Sequence, residues 1–110
     1  MAGKFEIYKD KAGDHRFRLK AGNGETILAS EGYKSKSACE NGIASVQKNC
    51  LDENCFEKTT TESGKFRFNL KSTNGQVIGT SQNYKTEDGR DNGIGSVGRS
   101  APDAAIDDQT

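Results

Sequence analysis

The stretch "NGIASV" occupies residues 41–46, and "NGIGSV" occupies residues 92–97. One phrase with a single letter changed stands twice, 51 positions apart, in a chain of 110 residues. Asn-Gly alone marks a turn, but the neighbours of this phrase decide otherwise. Cys39, Ile43, Val46 and Cys50 fall at i, i+4, i+7 and i+11, which is the stripe on one face of a helix. Gly42 sits at the edge of that stripe. Ala38/Gly42 and Gly89/Gly93 form pairs of small residues four apart, so the glycine reads as a point of close approach between helix and sheet or between the two helices. Gly42, Ile43, Val46, Gly93, Ile94 and Val97 are therefore assigned to packing.

Working outward, residues 17–46 match residues 68–97 at 14 of 30 positions without a gap. This is an internal duplication, and each copy carries the same local signals. "FRLKAGNGETILAS" and "FNLKSTNGQVIGTS" are alternating runs joined at Asn23-Gly24 and Asn74-Gly75. Both residues of such a pair tolerate positive φ, so each predicts a hairpin. "KFEIYKD" and "CFEKTTT" add a strand upstream, leading through turns at Gly13 and Gly64. Ser35 or Ser37 can cap the first helix, and Ser37 with Glu40 has the spacing of a capping box. Thr86 is the cap expected for the second, with Glu87 and Asp88 in its first turn, where the helix dipole favours acids.

The reading is one α+β domain of two repeats, over about 3–51 and 54–102, with a final strand at about 104–108. Phe17, Leu19, Phe66, Phe68 and Leu70 point to one sheet face. Arg16, Arg18, Lys20, Arg67 and Lys71 point to the other, so the helices cover the apolar face and the basic face is wet.

Together, "MAGKFEIYKD", "FRLKAGNGETILAS", the doubled "NGI-SV" and "GKFRFNLK" resemble the YegP-like family over the whole chain. These are small bacterial proteins built of one or two copies of a domain of unknown function. The resemblance implies tandem β3-α-β repeats forming one antiparallel sheet, with two helices packed on one face. It also implies C-terminal strands exchanged between the halves and a pseudo-twofold axis, single-copy relatives building the same object as a homodimer. The family has no established activity, so no catalytic or ligand residue is carried over.

Composition narrows the function classes. The chain holds 16 basic and 16 acidic residues, so the surface as a whole carries no polyanion-binding charge. The balance is local: residues 1–51 hold nine Lys/Arg and six Asp/Glu, and residues 52–110 hold seven and ten. Halves of about +3 and −3 suit two parts that pack together. The opening Met-Ala-Gly-Lys-Phe runs into charged residues, unlike a signal peptide. No apolar run approaches the roughly 20 residues that cross a bilayer. Three cysteines, Cys39, Cys50 and Cys55, are a poor disulfide framework and with His15 too few for a metal site.

The expectation is a cytoplasmic, monomeric, non-enzymatic binding or protein-interaction module without cofactor, metal or membrane contact. One alternative is weak nucleic-acid or anion binding on the basic face, Arg16, Arg18, Lys20, Arg67 and Lys71. Another is thiol-redox or small-molecule chemistry near Cys39 or Cys50. A last candidate is a doubled polar site on the helices: Asn41 and Ser45, with Asn92 and Ser96, lie roughly opposite the apolar stripe.

Overall fold

A computed structural model describes residues 3–22, 24–73 and 75–110. The first repeat contributes β1 (Lys4–Lys9), β2 (His15–Lys20), β3 (Thr26–Ser30) and α1 (Lys36–Asn49). A short 3-10 turn, Glu53–Cys55, leads into β4 (Phe56–Thr60), β5 (Phe66–Lys71), β6 (Val77–Thr80) and α2 (Glu87–Ser100). The chain closes with β7 (Ala105–Asp108). Asn23 and Asn74, on which the hairpin expectation rests, lie outside the described residues. Their partners Gly24 and Gly75 take φ of +85° and +86°, the left-handed region that glycine reaches without a steric cost.

All seven strands join one sheet in the order β4-β5-β6-β3-β2-β1-β7. Every pairing is antiparallel except the last, where β7 lies parallel to β1 with Phe5 opposite Ile106. The repeats meet back to back at β3 and β6, where Ala29 faces Thr80 and Ser30 faces Gly79. Both carry a register shift at the same place, Leu19/Lys20 and Leu70/Lys71. In both, a serine hydroxyl (Ser30, Ser81) accepts from the backbone N–H of Phe17 or Phe68 at 2.9 Å.

The helices cover the apolar face, over Phe5, Ile7, Phe17, Leu19, Phe68 and Leu70, all fully buried. In α1 the expected stripe is buried: Cys39, Gly42, Ile43 and Val46, followed by Cys50 at the cap. Its N-cap is Ser35, whose hydroxyl accepts from the Ala38 N–H at 3.1 Å. The Ser37/Glu40 capping box is not formed, because the helix has already begun at Lys36. Thr86 caps α2 as expected, with Glu87 and Asp88 in the first turn. Tyr33 and Tyr84 tie the strand-to-helix corners, bridging to His15 and Phe66 and stacking on Phe17 and Phe68.

Gly89, Gly93, Gly95 and Gly98 all fall inside α2. Each costs about 1 kcal/mol against alanine, so packing rather than propensity holds this helix. Its amides are expected to exchange with solvent faster than those of α1 at neutral pH. Equal or slower exchange in a hydrogen–deuterium measurement would contradict that.

The strands that follow the helices lie across the halves: β4, after α1, pairs with β5, and β7, after α2, pairs with β1. The 51-residue offset sets β7 on residues 54–57, which are already used to enter β4. One stretch cannot serve both purposes, so β1 gains a partner and β4 ends the sheet.

Candidate functional site

The basic sheet face is occupied by its own counterions. Glu6, on β1, is only 3% exposed and lies among the cations of that face. Arg18 Nε donates to Glu6 Oε1 at 2.6 Å, Lys4 and Lys20 reach the same carboxylate at 3.3 and 3.4 Å, and the Gln109 amide donates to Oε2 at 3.2 Å. The hydrogen bond from Arg18 leads in holding the Glu6 carboxyl down at about 2, and those from Lys4 and Lys20 add to it against the opposing effect of burial. Arg16 donates to Asp10 at 2.6 Å, and Lys71 to Glu57 at 2.8 Å. The Arg18 guanidinium also lies 4.7 Å from the Tyr8 ring centroid, covering the aromatic that a base would stack on. Arg67 is exposed and makes no ion pair among the described residues, but one arginine is not a phosphate track. A single-stranded oligonucleotide is expected to give no retained complex in a gel shift at ~50 mM salt. A retained complex that weakens as salt rises would restore the anion-binding reading.

The thiols do not favour redox chemistry. Cys39, Cys50 and Cys55 are free and buried. Burial pushes the Cys39 thiol up to about 11 and raises that of Cys50, which opposes the reactive thiolate.

The two pairs of the doubled polar site have different surroundings. Asn41 and Ser45 line a cleft of about 170 Å³ between α1 and the β5–β6 hairpin, with Glu31, Tyr33, Gln76 and Ile78. Asn92 is exposed and Ser96 half-buried on α2, and between the halves the Gln82 amide donates to Glu25 at 2.6 Å.

The largest break in the pseudo-symmetry is at the sheet edges. Phe5 and Phe56 are the same residue at the same place in the two repeats, each in edge-to-face contact with the next phenylalanine, Phe17 or Phe68. Phe5 is 0% exposed, whereas Phe56 is half-buried. Ile43 is buried and its counterpart Ile94, expected in the core, is only partly covered. Beside Phe5, β7 lies along β1, and the Gln109 N–H donates to the Ile7 carbonyl at 2.8 Å. Among the described residues, no strand lies along the outer side of β4. A cleft of about 540 Å³ opens there, lined by Asn54, Phe56, Lys58, Asp91, Ile94 and Gly95. Residues of one strand alternate in the side to which their backbone groups point. By correspondence with Ile7, the Lys58 N–H and C=O face this open edge. Sequence reasoning assigned Ile94 to packing and did not find this site. The signal lay in the 51-residue offset itself, which makes residues 54–57 claimed twice.

Comparison with known proteins gives a family and no activity. A domain of unknown function, DUF1508, matches twice, over residues 10–57 and 62–108. The chain is similar to the UPF0339 protein YegP of Escherichia coli K12, 51% identical over 110 residues and all of both chains. It is also similar to a UPF0339 protein from the ptx operon 5′ region of Stutzerimonas stutzeri, 58% identical over 106 residues, 96% of each. The solution structure of E. coli YegP, itself a protein of unknown function, superposes with a TM-score of 0.95 over 100% of this chain and 95% of that one. A UPF0339 protein of Shewanella oneidensis, 46% identical, gives 0.92 over 98% and 92%.

Proposed function

This chain belongs to the DUF1508 family, a domain of unknown function present here in two copies, and from that premise we propose that it is a non-enzymatic binding module whose partner docks along the free edge of β4. One observation carries the reading: the same unit occurs twice, closed by a strand in one copy and open in the other. The open copy leaves part of Phe56 and Ile94 uncovered beside the outer edge of β4. An exposed edge is commonly blunted by a lysine, and Lys58 is such a residue. Blunting does not account for the cleft next to it. An extended segment added at such an edge gains main-chain hydrogen bonds for affinity and side-chain pockets for selectivity.

The non-enzymatic part of the reading is supported by how the reactive groups are used. Carboxylates Glu6, Asp10, Glu57 and Asp108 are tied to cations, and the three thiols are buried. The test is an unbiased one. Peptides selected on the immobilised chain from a random library are mapped by amide chemical shifts. The expected result is perturbation concentrated at residues 56–60 and 91–95. Selected peptides that instead shift the Arg16–Lys20 face or the Asn41/Ser45 cleft would overturn it.

A further inference from the structure

We infer that the β4 edge takes, in parallel, an extended segment of another protein that is apolar where it meets Phe56 and Ile94 and basic where it meets Glu87. This rests on the proposal that β4 is the docking edge, and adds which chemistry is accepted there.

The protein contains its own template for such a complex. β7 lies on β1 with Ala105 opposite Lys4, Phe5 opposite Ile106, Glu6 opposite Asp107 and Ile7 opposite Asp108. Its acidic residues hold it in place: Asp107 reaches Lys4 at 3.8 Å, and Asp108 is bridged to Lys36 of α1. Moving each lysine by the 51-residue offset gives the corresponding position beside β4. Lys4 becomes Cys55, which is buried and carries no charge. Lys36 becomes Glu87, exposed in the first turn of α2. Both cations that fix the acidic strand at β1 are therefore missing at β4, and one is reversed.

The remaining charges point the same way. Lys58 is held by Asp91 at 3.2 Å, and Glu57 by Lys71 at 2.8 Å. Glu87 makes no ion pair among the described residues, so it is the charge left for a partner. A second copy that offered its β7 sequence "AIDD" would set like charges against Glu87, and like charges at an interface reject the wrong partner. The groove thus keeps the strand edge of the β1 site from Phe56 onward while opposing this chain's own tail. The segment that fits keeps an apolar residue at the place of Ile106 and carries Lys or Arg at the place of Asp108.

The test uses the full chain and two synthetic peptides. One has the sequence of residues 101–110; the other is the same peptide with Asp107→Lys and Asp108→Lys. In an amide-shift titration at low salt, the lysine peptide is expected to shift residues 56–60 and 91–95 and to bind about tenfold more tightly than the native-sequence peptide. The variant Glu87→Lys should narrow or reverse that preference while leaving the amides of β1 to β3 in place. Equal or tighter binding of the native-sequence peptide at β4 overturns the charge inference and leaves the docking edge standing. No saturable shift at β4 from either peptide up to about 1 mM, or shifts confined to another surface, overturns both. A concentration-dependent dimer of the unmodified chain that protects residues 56–60 overturns the choice of a foreign partner over a second copy.

Discussion

Replacing Gly93 by alanine is expected to lower the midpoint of thermal unfolding by about 8 °C, and replacing Gly42 by about half as much. On helix propensity alone each change should stabilise, by about 1 kcal/mol. The tertiary structure reverses the sign. A methyl group on Gly93 would stand 2.7 Å from Tyr84 Cζ and 3.2 Å from Phe68 Cε1. On Gly42 it would stand 2.6 Å from Tyr33 Oη and 2.9 Å from Phe17. Tyr33 and Tyr84 cannot swing inward, because each is stacked on that fully buried phenylalanine. Overpacking of this kind costs typically 1–3 kcal/mol. Tyr33 borders the 170 Å³ cleft and has room to tilt outward. The corner at Tyr84 is flanked instead by the Gln82–Glu25 bridge, so Gly93 is the more sensitive site. The two glycines touch different rings, so the losses should add in the double variant. A rise in melting temperature for either single variant would show that the rings yield and that the repeated glycine has another purpose.

The second large effect falls on Glu6. Glu6→Gln is expected to cost about 2 kcal/mol at pH 7, because Lys4, Arg18 and Lys20 then crowd a buried amide instead of a carboxylate. The acid limb of stability should change with it. The folded pKa of about 2 lies below the ordinary value of 4.5. The stabilisation is therefore fully present above the ordinary value and is lost as pH falls from there through the folded one. Denaturant unfolding at pH 7, 4 and 3 should show the native chain weakening in that window and the variant weakening less. Asp10, Glu57 and Asp108, also lowered by their cation partners, keep some slope in both. Glu57→Gln is the internal control. It is the same residue at the same place in the second repeat, but it is exposed at the uncapped edge, so little change is expected. Equal effects at the two positions would mean that β7 does not set the environment of Glu6.

Both predictions show which part of this protein is readable in one dimension. The duplication, the two hairpins of each unit, the Thr86 cap and the helix stripe around "NGIASV" are local. They follow from periods of 2 and 3.6 and from what glycine allows, and a short window of residues contains all the information. The alternation of Phe17 and Leu19 with Arg16, Arg18 and Lys20 likewise separated the covered face from the wet one.

The sites were less legible, because they depend on partners far along the chain. The basic row on the wet face reads first as cross-strand ion pairs with Glu6 and Glu57, but the burial of Glu6 among three cations and the Arg16–Asp10 pair appear only in the tertiary structure. Asn41 and Ser45 line a cleft because Gln76 and Ile78 of the other repeat close over them, a contact between halves that no local pattern contains. Leu28 and Gly79 occupy equivalent positions yet differ. They meet near the pseudo-twofold axis, where a methyl group on Gly79 would stand 2.9 Å from Leu28 Cγ. Two leucines cannot share that point, so one repeat supplies the side chain and the other the space. Phe5 and Phe56 are the plainest case. They are identical in residue, in register and in ring contact, and no local pattern separates them. Phe5 is buried because a strand about 100 residues later returns to lie along β1. Phe56 is open because the stretch that would do the same for β4 is the chain's own way into it. By itself the sequence determined the repeated unit, which local periodicity and turn chemistry specify. Only the tertiary structure decided where the two copies differ, because that depends on which strand the last few residues reach.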